Sequence, residues 1–300
     1  MILSTTTGEI AKRLGDEEAI RIIAQAGFDA FDYSLFAYDD ESPVYGVSYK
    51  EYVAGLIDTA QKYYICCNQA HAYFPSNKWG DEEFNKKTFG KIVRGMEVAA
   101  MLGAKTIIVH PFTSYPKDMT PEKIMEVNLF FYNSLLPYCK EFKIRVALEN
   151  MFTRDKKRGY IIGSTCGRGE EFRAYMEALD SQWFIACLDL GHSSLVGDEA
   201  YDAIRVLGKK YLHALHVSDN DYCNDNHTLP YLGSMEWNKI FQALAEIGYK
   251  DDFTYEADSF ISGFPDDFLP DVSAFMCKVG RYMIRRIEEE KTSIRSVFVQ

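Results

Sequence analysis

The sequence predicts an α/β fold, a single (β/α)8 TIM barrel, on three observations. Eight short segments rich in β-branched and aromatic residues alternate with eight stretches of helical spacing. The strand-like segments read as continuous apolar runs, the pattern of a parallel sheet covered by helices. The units recur at roughly 30–40 residues, which suits a closed barrel better than the structural alternative, an open doubly wound sheet.

In chain order the strand-like segments are ILSTTT (2–7), AFDYS (30–34), YICCNQAHA (64–72), KTIIVHPF (105–112), IRVALEN (144–150), FIACLDLGH (184–192), HALHVSDN (213–220) and FTYEAD (253–258). Between them lie stretches with helical periodicity, among them DEEAIRIIAQAGF, YKEYVAGLIDTAQKYY, EEFNKKTFGKIVRGMEVAAMLGA and PEKIMEVNLFFYNSLLPYCKEF. Several close on glycine, as helix C-termini commonly do. No Pro/Ser-rich linker, low-complexity tract or composition break divides the chain, so residues 1–300 are expected to form one domain, with a C-terminal helix and tail over 264–300.

Composition narrows the function classes. A content of 47% hydrophobic residues supports a sizeable core, and 33 Lys plus Arg against 44 Asp plus Glu gives a net charge of −11. That charge disfavours nonspecific attraction to nucleic acid or to an anionic membrane. The seven cysteines include Cys66, Cys67, Cys187 and Cys277 within apolar runs, with no C-x-x-C pair, which reads as reduced thiols and a cytoplasmic location. The opening MILSTTTGEI lacks a basic start followed by a long apolar stretch, and no window reaches 18 consecutive apolar residues, so neither a targeting signal nor a membrane span is expected.

Polar residues recur where strands end. His71, His110, Glu149, Asp189, His216 and Glu256 each stand at or just after the C-terminal end of a separate strand-like segment. In a β/α barrel those ends converge on one mouth, where active sites form. Singly, each has an ordinary reading: a strand-end histidine as a hydrogen-bonded structural residue, an aspartate as the cap of the following helix. Three carboxylates and three imidazoles gathered at one mouth are better explained by a cation that offsets the cost of burying them. Glu149, Asp189, His216 and Glu256 offer an O/O/N/O donor set suited to one Mn, Co, Zn or Mg ion with room for substrate.

The motifs HAYF (71–74), VHPF (109–112), LEN (148–150), CLDLGH (187–192), HVSDND (216–221), D-N-H (225–227) followed by LPYLGSMEW, and YEAD (255–258) together resemble the xylose isomerase-like TIM barrel superfamily. That superfamily holds sugar phosphate isomerases and epimerases and the endonuclease-IV-type AP endonucleases, and the resemblance spans nearly the whole chain. In the ketose epimerase branch one divalent ion is held by a Glu, Asp, His, Glu quartet, which falls here on Glu149, Asp189, His216 and Glu256. The endonuclease branch adds ligands for two more zinc ions, and those positions match His71, His110, His192, Asp225 and His227. The arginine that the 3-epimerases place six residues after the metal histidine is Tyr222 here, whereas the carboxylate six residues after the first metal glutamate is retained as Asp155.

The segment YCNDNHTLPYLG carries no arginine to approach a DNA backbone, and the expected mouth loops carry Tyr33, Phe36, Tyr38, Phe74, Trp79, Phe112 and Tyr115. The expectation is therefore a metal-dependent isomerase or epimerase of a sugar or sugar phosphate, with an AP endonuclease bearing a multinuclear zinc site, or a related lyase or C-glycoside-cleaving enzyme, as the alternatives. Glu149 and Glu256 are the candidates for moving a proton next to the substrate carbonyl through an enediolate, and His192, Asp155, Phe112 and Trp79 for holding substrate. No nucleotide cofactor is expected, the partner is a small-molecule sugar, and a homo-oligomer is left open. The run RDKKR (154–158) reads as a solvated loop before it reads as a phosphate site, and GSTCGRGEEF (163–172) as an ordinary helix start.

Overall fold

The computed structural model describes residues 1–36, 38–116 and 118–297. Its strands are β1 (Leu3–Thr6), β2 (Ala30–Ser34), β3 (Cys66–His71), β4 (Thr106–Ile108), β5 (Arg145–Glu149), β6 (Phe152–Arg154), β7 (Ile161–Gly163), β8 (Phe184–Asp189), β9 (Leu212–Val217) and β10 (Phe253–Tyr255). Eight of them pair in parallel and close into a barrel in the order β1-β10-β9-β8-β5-β4-β3-β2, with β1 also bonded to β2. All eight coincide with the segments expected to be strands.

The helices are α1 (Gly8–Leu14), α2 (Asp16–Gln25), α3 (Tyr49–Lys62), α4 (Glu82–Leu102), α5 (Pro121–Phe142), α6 (Gly169–Ala178), α7 (Leu190–Leu195), α8 (Ala200–Tyr211), α9 (Trp237–Glu246), α10 (Asp258–Ser262) and α11 (Leu269–Val297). Eight helical stretches were expected, and the additional ones have local causes. Gly15, at φ +87°, separates α1 from α2. The short α7 and α10 lie in the connections that follow β8 and β10, on the face where the polar residues gather. The C-terminal segment expected over 264–300 is mostly α11, and residues 298–300 lie outside the described residues.

Two other expectations resolve into local structure. RDKKR forms the turn of an antiparallel hairpin, β6–β7. At the end of GSTCGRGEEF, Gly169 opens α6 with its N–H donating to Asp198 Oδ2 at 2.6 Å, an ordinary helix start. No helix among the described residues is long and apolar enough to cross a membrane. All seven cysteines are free thiols.

Strand periodicity explains how the barrel positions its polar end. Side chains two residues apart face the same way, so Ile108 lies below His110, Ala147 below Glu149, Cys187 below Asp189 and Ala214 below His216. Ile108, Ala147, Ile185, Cys187 and Ala214 form a small buried cluster of their own, separate from the large core between strands and helices. On the β4, β5, β8 and β9 side the barrel interior is thus filled by small and medium apolar side chains. On the other side it is filled by hydrogen-bonded polar ones, such as Ser4 with Thr254 and Asp32 with Gln69, and the acids and imidazoles gather at the C-terminal strand ends.

Candidate metal centre

Asp189 is the last residue of β8 and also caps α7: its Oδ1 accepts the His192 N–H at 2.7 Å. The ordinary reading of this residue is therefore correct for one oxygen. The other, Oδ2, is buried and has no hydrogen-bond partner among the described residues. Asn150 fixes the same strand end, accepting from Asp189 N at 2.7 Å through Oδ1 and donating to Asp189 O at 2.9 Å through Nδ2. Gly191 is needed here, since a Cβ would stand 2.9 Å from Ser218 Oγ and 3.2 Å from Asp189 Oδ1.

Glu149, fully buried at the end of β5, lies at the centre of the imidazoles. Its Oε2 is 2.7 Å from His110 Nε2 and 3.7 Å from His71 Nε2, and its Oε1 is 3.2 Å from His216 Nδ1 and 3.7 Å from His192 Nδ1. His216 Nδ1 also lies 3.0 Å from Glu256 Oε2. Farther out, His227 Nε2 is 3.1 Å from Asp225 Oδ2 and His192 Nε2 is 3.8 Å from Asp225 Oδ1.

The backbone aims three of these rings. Nδ1 of His71 is 2.9 Å from Ala72 O, that of His192 is 2.9 Å from Asn150 O and that of His227 is 2.9 Å from Glu256 O. An Nδ1–H donated to a carbonyl leaves Nε2 facing the acids, the ring nitrogen that can bind a metal once it gives up its proton. His216 is turned the other way, with Nδ1 toward Glu149 and Glu256 and a buried Nε2 that faces Asp32 Oδ2 at 3.6 Å. Asp32 Oδ2 in turn accepts from Gln69 Nε2 at 2.7 Å.

Charge and burial oppose each other throughout. Burial disfavours ionisation of Glu149, but His216 and His110 outweigh it and hold this carboxyl well below the usual carboxylate range. Glu256 is likewise lowered, against burial, chiefly by His216. Burial raises Asp189 to about 6. Burial also opposes a proton on His216 and His227, yet the carboxylates beside them raise both well above the usual imidazole value. The cluster thus takes up protons to offset its acids, which is the positive charge a metal ion would supply.

The fit to a metal can be tested on the donor atoms themselves. One donor from each of Glu149, Asp189, His216 and Glu256 lies within 4.8 Å of the others, and the same holds for His71 with His110 and Glu149, and for His192 with Asp225 and His227. With the unpartnered Asp189 Oδ2 among them, the residues fit a divalent ion. Nine residues singled out in the sequence are therefore brought together.

Three others are not. Asp155 caps its own hairpin turn, accepting from Lys157 N at 2.9 Å and Arg158 N at 2.8 Å. Phe112 packs on Phe131 with ring centroids 4.6 Å apart, and Trp79 is 46% exposed beside Tyr115. None of the three lines the cavities at the centre.

Sequence reasoning missed Asp32 and Asp219. Asp32 interrupts the buried run AFDYS, and a carboxylate inside such a run was the available signal. Asp219 is fully buried and accepts from Tyr231 N at 2.9 Å, Met235 N at 3.2 Å and Trp237 Nε1 at 2.8 Å, gathering the loop that carries Asp225 and His227. Gly233 lets that loop close, since a Cβ there would stand 2.3 Å from Asp219 Oδ1.

The family model of the xylose isomerase-like TIM barrel matches residues 20–267. The chain belongs to this family. Among xylose isomerase-like solved structures of similar fold, a D-tagatose 3-epimerase-like protein is 18% identical, with a TM-score of 0.74 over 97% of this chain and 99% of its own. An L-ribulose 3-epimerase is 15% identical, with a TM-score of 0.74 over 99% and 97% of the two chains. Among curated proteins, an uncharacterised protein of Sinorhizobium fredii is 21% identical over 79% of this chain and 68% of its own length. One of Mycobacterium tuberculosis is 24% identical over 73% of this chain and 80% of its own. At these identities the likeness is one of fold.

Proposed function

We propose that this xylose isomerase-like barrel is a metal-dependent isomerase or epimerase of a small sugar or sugar derivative. The observation that carries this reading is the convergence of Glu149, Asp189, His216 and Glu256 around one point, with Asp189 Oδ2 unpartnered and both glutamates on the cavity wall. The similar structures, one named as a D-tagatose 3-epimerase-like protein and one as an L-ribulose 3-epimerase, support it. A bound divalent ion would polarise a substrate carbonyl and acidify the neighbouring C–H.

The protein's own groups then divide the work. Glu256 lines both cavities and is suited to take a proton from the carbon next to the carbonyl. Glu149, on the other side of His216, is suited to return it to the opposite face or to the adjacent carbon. Asp189 and His216 serve as ligands, and His192 Nε2 faces the cavity as a partner for a substrate oxygen. Glu256 is held ionised, as a proton acceptor requires. Glu149 must first carry a proton to deliver one, and the His110 and His216 imidazoles at 2.7 and 3.2 Å from its oxygens are the groups placed to relay it. The test is incubation of metal-loaded protein with candidate ketoses in D₂O, following both deuterium at the carbon next to the carbonyl and the product itself.

A second reading rests on a separate observation. The group His71–His110–Glu149 shares Glu149 with the quartet, and His192–Asp225–His227 stands beside it with His192 Nδ1 3.7 Å from Glu149 Oε1, an arrangement able to hold further ions. It suits a multinuclear hydrolase such as an AP endonuclease, in which a metal-activated water cleaves a phosphodiester. The net charge of −11 weighs against a DNA substrate.

A further inference from the structure

Most of the acids and imidazoles at the strand ends line the smaller of two adjoining cavities. That cavity, of about 250 Å³, is lined by Phe36, His110, Glu149, His192, His227 and Glu256 among others. A second chamber of about 640 Å³ lies toward α1 and shares Phe36, His227 and Glu256 with the first. Sites for small molecules usually measure roughly 300–1,000 Å³. The metal cavity alone falls short of that range, whereas the two together lie within it.

The larger chamber is chemically distinct from the metal cavity. Its floor carries Ser34 and Asp258, and Asp258 Oδ1 is buried without a hydrogen-bond partner among the described residues. Gly8 keeps this floor open, since a Cβ there would stand 3.2 Å from Asp258 Oδ2 and 3.3 Å from Ser34 Oγ. Hydroxyls of Ser42 and Ser259 and the rings of Phe36 and Tyr38 complete much of the lining. Its ionisable walls set Glu9, Asp39, Asp258 and Glu256 against Lys12 and His227, so they offer no surplus of positive charge to an anion such as a phosphate. Carboxylates and hydroxyls beside aromatic faces instead suit a group with many O–H donors and an apolar side.

We propose that this chamber is a subsite for a neutral, hydroxyl-rich ring attached to the sugar at the metal centre, so that the substrate is a glycoside or disaccharide rather than a free monosaccharide. The proposal rests on the carbohydrate reading of the metal centre. The second ring lies between Phe36 and the Ser34–Asp258 floor, and Glu256 and His227 mark the boundary between it and the reacting sugar.

The test is calorimetric binding to manganese-loaded protein, comparing D-fructose, D-fructose 6-phosphate and four ketose disaccharides of different linkage: isomaltulose, turanose, leucrose and lactulose. At least one disaccharide is expected to bind about tenfold more tightly than D-fructose, the gain from one or two additional net hydrogen bonds. In Ser259→Trp, whose indole would occupy the chamber, that ratio is expected to fall to about one while manganese content is retained. Equal binding of fructose and all four disaccharides would overturn the subsite and leave the carbohydrate reading standing. Tightest binding of the phosphate ester would overturn the neutral character of the chamber. Failure of every sugar to bind to protein that retains manganese would remove the carbohydrate reading and this proposal with it.

Discussion

His216 and Asp32 form a directed pair across the barrel interior: Nε2 of the imidazole faces Asp32 Oδ2 at 3.6 Å while Nδ1 faces Glu149 and Glu256 at 3.2 and 3.0 Å. At 3.6 Å the Asp32 carboxylate acts on the buried Nε2 by charge rather than through a hydrogen bond, favouring a proton there and leaving Nδ1 to the metal. Losing a carboxylate behind a ligating imidazole typically costs about 10–100-fold in metal affinity. Asp32→Asn is therefore expected to weaken manganese or zinc binding by about that factor, measured by competition with a chromophoric chelator, with the circular dichroism spectrum preserved. Unchanged affinity would show that Asp32 does not act through His216.

Glu149 is the common neighbour of four imidazoles, so its removal should be felt by every donor group. Glu149→Gln is expected to reduce bound metal and to abolish turnover, because the amide keeps the shape and loses the anion. Elemental analysis alongside activity separates the two effects. Full metal content with full activity would sink the proposed role.

Metal loading should also stabilise the fold, by about 2.7 kcal/mol at a concentration a hundred times the dissociation constant. The dependence on pH carries a sign. The histidines at 216 and 227 are raised above 6.5, so their protons contribute stability below that value that is lost as pH rises through the folded-state value. Asp189 acts in the same direction between 3.8 and about 6. Thermal scans of chelated protein should accordingly show a melting temperature that falls with rising alkalinity, and the gap to manganese-loaded protein should widen. A gap independent of pH would contradict this proton linkage.

The number of ions is open to direct measurement. A single ion was the expectation from sequence, held by Glu149, Asp189, His216 and Glu256. Crystals grown with zinc and measured at its absorption edge should give one dominant anomalous peak among these four residues. Three peaks a few ångströms apart, at the quartet and the two flanking groups, would favour the multinuclear reading.

The two reaction classes separate on substrate. Deuterium incorporation and product formation from a ketose or ketose glycoside are expected, with no nicking of a duplex that carries one abasic position. Salt-sensitive incision at that position, lost in Glu149→Ala, would reverse the assignment.

Much of this architecture was legible because the barrel strands are largely buried on both faces and six of them lead into an acid or imidazole that an apolar run has no other reason to carry. Glu149, Asp189 and His216 were visible for that reason. Asp155 has a local role that its spacing from Glu149 does not reveal: the following residues fold into a hairpin turn in which its Oδ1 accepts from the N–H groups of Lys157 and Arg158. Asp32 and Asp219 were overlooked because each sits within a segment whose other residues dominate the pattern, and their roles depend on partners distant in sequence, His216 and Trp237.

The two cavities are built from different kinds of element, and evolution can act on them separately. The donors of the quartet stand on β5, β8 and β9 and just beyond β10, where any shift would disturb the closed sheet. Much of the larger chamber is built by α1, the segment after β2 and the start of α10, outside the strand ladder. Substitutions or insertions there can change which molecule is accepted while the proton chemistry is inherited intact, so relatives with the same strand-end acids and imidazoles are expected to diverge first in the residues that correspond to Lys12, Ser42 and Ser259.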